Sequence, residues 1–82
     1  MNEQQIVELI VRHAREVIPN LRDRQVQADE SLKALGANSI DRSEILMMTL
    51  ASLSARIPLM EMARAQNIGE LAGIIHGKLP VS

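Results

Sequence analysis

Few side chains in this 82-residue sequence are suited to nucleophilic or acid–base work, and their spacing limits what that work can be. The two histidines, His13 and His76, lie far apart, and neither has a carboxylate at a metal-ligand spacing such as His-Glu-x-x-His. Each has a structural explanation. His13 falls on the apolar stripe of one helical segment, and His76 falls in the last turn of another, where a positive charge suits the helix dipole. There is no cysteine, which removes thiol catalysis, Cys-ligated zinc and a disulfide frame. The four glycines, at 36, 69, 73 and 77, are too scattered to form a phosphate-cradling loop. A Ser-His-Asp site assembled from Ser39, either histidine and Asp41 has no spacing to support it. The expectation is a chain that is not an enzyme.

The run Leu35-Gly36-Ala37-Asn38-Ser39-Ile40-Asp41 is more informative. Its plain reading is a glycine turn followed by an N-capping asparagine or serine, and serine is among the commonest caps. Its position adds a second reading. Ser39 stands between a long polar loop and an apolar helix, exposed at a helix N-terminus where backbone N–H groups and the dipole favour a bound or attached phosphate.

The elements that must position this serine follow from apolar periodicity. From Asn2 to Ile18 the stripe Ile6, Leu9, Ile10, His13 and Val17 recurs every three or four residues, with Asn2 as N-cap and Pro19 ending the run. Residues 20–38 have no sustained period and read as a long loop, within which Asp29 or Ser31 caps a single turn covering Leu32 and Leu35. A second helix begins at Asn38 or Ser39 and runs to about Leu53, apolar over most of its circumference. Pro58 suits the first position of a short helix, Leu59 to Arg64. Asn67 and Glu70 resemble a capping box opening a last helix from Ile68 to about Lys78, with Pro80 closing it. The reading is all-α: a bundle of three main helices and one short helix with a long first loop, forming one domain over residues 1–82.

Composition narrows the function further. Nine basic and ten acidic residues give a net charge of -1, which argues against a nucleic-acid partner. With no aromatic residue, there is neither a stacking platform for bases nor an aromatic interface anchor. No apolar run approaches the ~20 residues of a membrane span, and the acidic, polar N-terminus is unlike a signal peptide. A cytoplasmic location fits, and the chain is expected to be a monomer.

The residues Ser31 to Asp41 resemble the signature of the acyl carrier proteins, an apolar pair and Leu-Gly followed by Asp-Ser-Leu-Asp, and the order of the helices is similar along nearly the whole chain. The resemblance implies a 4′-phosphopantetheine arm joined to Ser39, carrying acyl groups as thioesters for other enzymes to act on. There are departures. Asn38 replaces the usual aspartate, Ile40 replaces leucine, and Arg42 adds a positive charge to a helix that retains only Asp41 and Glu44 as acids. The run Gly-Ala-Asn-Ser-Ile-Asp-Arg followed by Glu-Ile is similar to small discrete carriers of polyketide β-branching cassettes.

That likeness implies a donor of acetyl, made from malonyl, to an enzyme resembling 3-hydroxy-3-methylglutaryl (HMG) synthase. Expected partners are a phosphopantetheinyl transferase, an acyltransferase, a decarboxylating ketosynthase and that synthase. Asn38, Ile40, Asp41, Arg42, Glu44 and Met47 cluster by helical spacing around Ser39 as a docking surface. Among the other methionines, Met48 is expected to fill the core. Two alternatives stand beside this reading: a general polyketide or peptidyl carrier, and a helical interaction module in which Ser39 is only a structural N-cap.

Overall fold

The computed structural model describes residues 1–79. Its elements are α1 (Glu3–Val17), one 3-10 turn (Pro19–Leu21), α2 (Ser39–Leu53), α3 (Leu59–Met62) and α4 (Ile68–Lys78), an all-α bundle in the expected order. The expected closing role of Pro80 lies outside the described residues. No helix among the described residues is long and apolar enough to cross a membrane.

Helix α1 starts where its cap dictates. Asn2 Oδ1 accepts the Gln5 N–H at 2.8 Å and Gln5 Oε1 accepts the Asn2 N–H at 2.9 Å, so two otherwise orphaned donors are satisfied reciprocally. Its stripe is buried as the period requires: Ile6, Ile10 and Ala14 are fully enclosed and pack with Ile45 of α2 and Leu71, Ala72 and Ile75 of α4. His13 is also buried. Its Nε2 shares a 3.0 Å hydrogen bond with Ser52 Oγ across the α1–α2 seam, and its Nδ1 lies 3.5 Å from Glu16 Oε2. This is the buried amphipathic role expected of it.

Three expectations need correction. The 3-10 turn lies partly in the stretch expected to be irregular; Pro19 supplies its fixed φ and Leu21 anchors it in the core. The short helix stops at Met62 rather than Arg64, and Pro58, at ψ 135°, is its extended N-cap rather than its first helical residue. Met48 is half-buried and lies outside the core cluster, whereas the fully buried partner of Ile45 on α2 is Thr49, whose hydroxyl donates to the Ile45 carbonyl at 2.8 Å. That internal bond lets a threonine occupy an apolar site without an unmet polar group.

The long loop is tied down. The carbonyls of Glu30 and Ala28 accept the N–H groups of Ile68 and Gly69 at 2.9 and 2.7 Å, satisfying donors in the first turn of α4. Gly69 permits this approach, because a Cβ there would stand 3.3 Å from the Ala28 oxygen. Asn67 Oδ1 caps the same helix at the Glu70 N–H (2.7 Å), but Glu70 returns its bond to the Gln66 N–H, one residue earlier than a capping box requires. Nearby, the Glu30 carboxylate pairs with the Arg24 guanidinium and accepts the Gln27 N–H at 2.7 Å.

The Arg24 hydrogen bond above all, and then the Gln27 N–H, hold the Glu30 carboxyl below its ordinary range. A depressed folded-state pKa means that the stabilisation is present above the unfolded pKa and is lost as pH falls through the folded value. Thermal melts across an acidic pH series should therefore show Glu30→Gln less stable than wild type near neutrality, with the two converging at low pH. Parallel curves would show that this pair does not hold the loop.

Candidate functional site

The serine is delivered by a turn, a cap and a cation. Ser31 Oγ accepts the Ala34 N–H at 3.0 Å and opens the single turn that buries Leu32, as expected of one of the two candidate caps. Gly36 then adopts φ +102°, a conformation that L side chains rarely take, and the Ala37 N–H bonds back to the Leu32 carbonyl at 3.0 Å. The chain leaves this turn extended at Asn38 (φ -79°, ψ -178°). Asn38 Oδ1 accepts the Asp41 N–H at 2.8 Å, and Asp41 Oδ2 accepts the Asn38 N–H at 3.4 Å. Asn38 is thus the N-cap and Ser39 the first helical residue.

This assignment removes the basis for reading Ser39 as a structural cap. Its side chain is exposed, and its one polar contact among the described residues comes from Arg42, whose Nη2 donates to Ser39 Oγ at 3.4 Å. The other guanidinium nitrogen, Nη1, donates to the Ala37 carbonyl at 2.8 Å. Two positive features therefore meet at a free hydroxyl: the N-terminal end of a 15-residue helix and a fixed cation. That arrangement fits a serine bearing an anionic phosphodiester.

Ser39 also stands on a ridge between two grooves. The inner groove, about 530 Å³, runs between the long loop, α2, α3 and the start of α4, with Lys33, Arg42 and Gln66 among its polar lining and Leu46, Met62 and Ile68 among its apolar walls. The outer groove lies along α2 and is lined by Ile40, Glu44, Met47 and Met48. A group attached to Ser39 can be sheltered on one side or presented on the other.

Of the six expected neighbours, Ile40 (76% exposed), Glu44 and Met47 (63% exposed) share the outer groove with Ser39. Asn38 and Asp41 have their side chains in the cap, and the Arg42 side chain turns back over Ser39 toward the loop. Sequence reading missed the inner groove, whose walls come from three separate segments, and the contact of Arg42 with its own serine. The second was within reach, because residues three apart on a helix are neighbours.

The chain matches known proteins along most of its length. The family described as "Phosphopantetheine attachment site" matches residues 7–75. The polyketide biosynthesis acyl-carrier-protein AcpK of Bacillus subtilis (strain 168) is 39% identical over 79 residues, 96% of this chain and 96% of the relative. Among solved structures, the curacin biosynthetic pathway HMG synthase in complex with acetyl donor-ACP includes a chain that matches at a TM-score of 0.90 and 42% identity, over 95% of this chain and 100% of that one.

The cap assignment has a direct consequence for stability. In urea denaturation, Ser39→Ala should remain within about 0.5 kcal/mol of wild type, as expected for an exposed residue outside the cap. Asn38→Ala should cost about 1 kcal/mol. The reverse ranking would mean that Ser39 is the cap after all.

Proposed function

The chain belongs to the phosphopantetheine-attachment family of acyl carrier proteins, and from that premise we propose that Ser39 bears the arm and that the carrier donates acetyl in polyketide β-branching. Proteins of this family carry a covalent 4′-phosphopantetheine group, which supplies a thiol that holds an acyl chain as a thioester. The observation that carries the assignment to Ser39 is its place on the ridge: an exposed hydroxyl on the first residue of α2, beside a fixed cation and open to both grooves. A phosphopantetheinyl transferase would install the arm there.

The donor role draws its support from the likeness to a chain described as an acetyl donor in complex with an HMG synthase. An acyltransferase and a decarboxylating ketosynthase would supply the acetyl group through malonyl. This chain's own residues then have three tasks: to present Ser39, to shelter what it bears, and to be recognised. Catalysis falls to the visiting enzymes. Arg42, the residue touching Ser39 Oγ, is a cation and no proton acceptor, and His13 is occupied at the α1–α2 seam.

Recognition is assigned to the outer groove. Ile40 and Met47 leave apolar surface in water beside Ser39, flanked by Glu44, with Asn38, Asp41 and Arg42 forming the edge nearest the loop. With few charges on this face, apolar burial and shape contribute more than long-range attraction, so binding should weaken only modestly with salt. They also offer a means of rejecting, or being distinguished from, more acidic carriers.

Acetyl transfer from the loaded carrier to an HMG-synthase-type enzyme checks this reading. Ile40→Ala should retain the wild-type melt and slow transfer by about five- to 150-fold, the cost of ~1–3 kcal/mol of lost burial on docking. The effect should persist across a salt series, and loaded carrier freed of partner enzymes should transfer nothing. A steep fall of wild-type transfer with salt, combined with indifference to Ile40→Ala, would contradict the docking surface.

A further inference from the structure

We propose that Arg42 is a positioning residue for the arm itself, holding the phosphodiester on Ser39 in one orientation; this rests on the reading of Ser39 as the attachment residue. The guanidinium is committed at one end and available at the other. Nη1 donates to the Ala37 carbonyl at 2.8 Å, and that carbonyl is itself fixed: Ala37 is 3% exposed and its N–H is bonded to the Leu32 carbonyl at 3.0 Å. Nη2 is thereby held 3.4 Å from Ser39 Oγ.

That second contact is long for an N–H···O bond and ends on a neutral hydroxyl, so it contributes little in the unmodified protein. Esterification of Oγ places anionic oxygens on the atom bonded to it, within the reach of a donor that is already aimed there. A guanidinium–phosphate hydrogen bond is shorter and about twice as strong as its neutral counterpart. The cation is also unspent. Among the described residues no carboxylate lies within ion-pair distance of Arg42, and its acidic neighbour Asp41 directs an oxygen to the Asn38 N–H.

The residue type matters because the contact is a fork. Arginine offers separate nitrogens to two acceptors in fixed geometry, whereas a lysine ammonium is a point charge on a flexible stem. Arg42→Lys would retain attraction for the phosphodiester but give up the anchor on Ala37. Lys33 lines the same inner groove and supplies a control, since it is a nearby cation with no ion pair among the described residues.

The test is ³¹P NMR of the arm-bearing protein as wild type, Arg42→Lys, Arg42→Gln and Lys33→Gln, with thermal melts of the unmodified forms to confirm folding. The wild-type phosphorus resonance should be shifted and broadened relative to free pantetheine phosphodiester. Arg42→Gln should return it toward the free position and narrow it, Arg42→Lys should fall between, and Lys33→Gln should match wild type.

A measurement on wild type alone covers the case in which an Arg42 variant does not fold. The guanidinium ¹⁵N–¹H signals of Arg42 should shift, and its N–H exchange should slow, when the unmodified protein gains the arm. Identical phosphorus signals in wild type and Arg42→Gln, or Arg42 signals indifferent to the arm, would overturn the proposal while leaving Ser39 as the attachment residue. Failure of the wild type to gain the arm at Ser39 would overturn both.

Discussion

The start of α2 depends on a reciprocal pair between Asn38 and Asp41, side chain to backbone in both directions, and the rest of the site is set by where that pair sits. It makes Asn38 the last extended residue and Ser39 the first helical one. Were the cap one residue later, the serine oxygen would be spent on a backbone N–H. As it stands, the cap consumes an asparagine and an aspartate and leaves the hydroxyl free. The positive-φ turn at Gly36 and the burial of Ala37 bring the chain to this point from the loop side. The Arg42 guanidinium then ties the turn to the helix across the cap.

Helix α2 must serve two surfaces, and its composition reflects that. Ile45 and Thr49 lie against α1 at full burial, with Leu46, Leu50 and Leu53 at the margin of the same core. Ile40 and Met47 keep their side chains in water on the opposite side. Two large apolar groups exposed together beside Ser39 form the kind of surface that the proposed docking would cover. The inner groove completes the arrangement, because α3 and the start of α4 stand off from α2 enough to leave a sheltered space beside Ser39.

Much of this was legible in the sequence, because it rests on local rules. The stripe of α1 and the caps at Asn2 and Asn67 are each set by residues within one or two turns, whereas the sequence narrowed the α2 cap only to Asn38 or Ser39. The region around Ser39 was legible for the same reason, with the added help of its likeness to known carriers. What escaped depends on contacts between distant segments. Thr49 is fully buried where α2 packs on α1, Met48 beside it is only half-buried, and the long loop is ordered by carbonyls that cap α4 about forty residues away. No local pattern announces these. The role of Arg42 is an intermediate case: the three-residue spacing to Ser39 is visible, but the carbonyl that anchors it is fixed by the fold.

The most direct test of the carrier assignment is to incubate the protein with a phosphopantetheinyl transferase and coenzyme A and map the modified residue by mass spectrometry. The expected result is a single arm on the peptide containing Ser39, with no modification of a folded Ser39→Ala protein. An unmodified wild type, or an arm on Ser31, Ser43, Ser52 or Ser54, would contradict it.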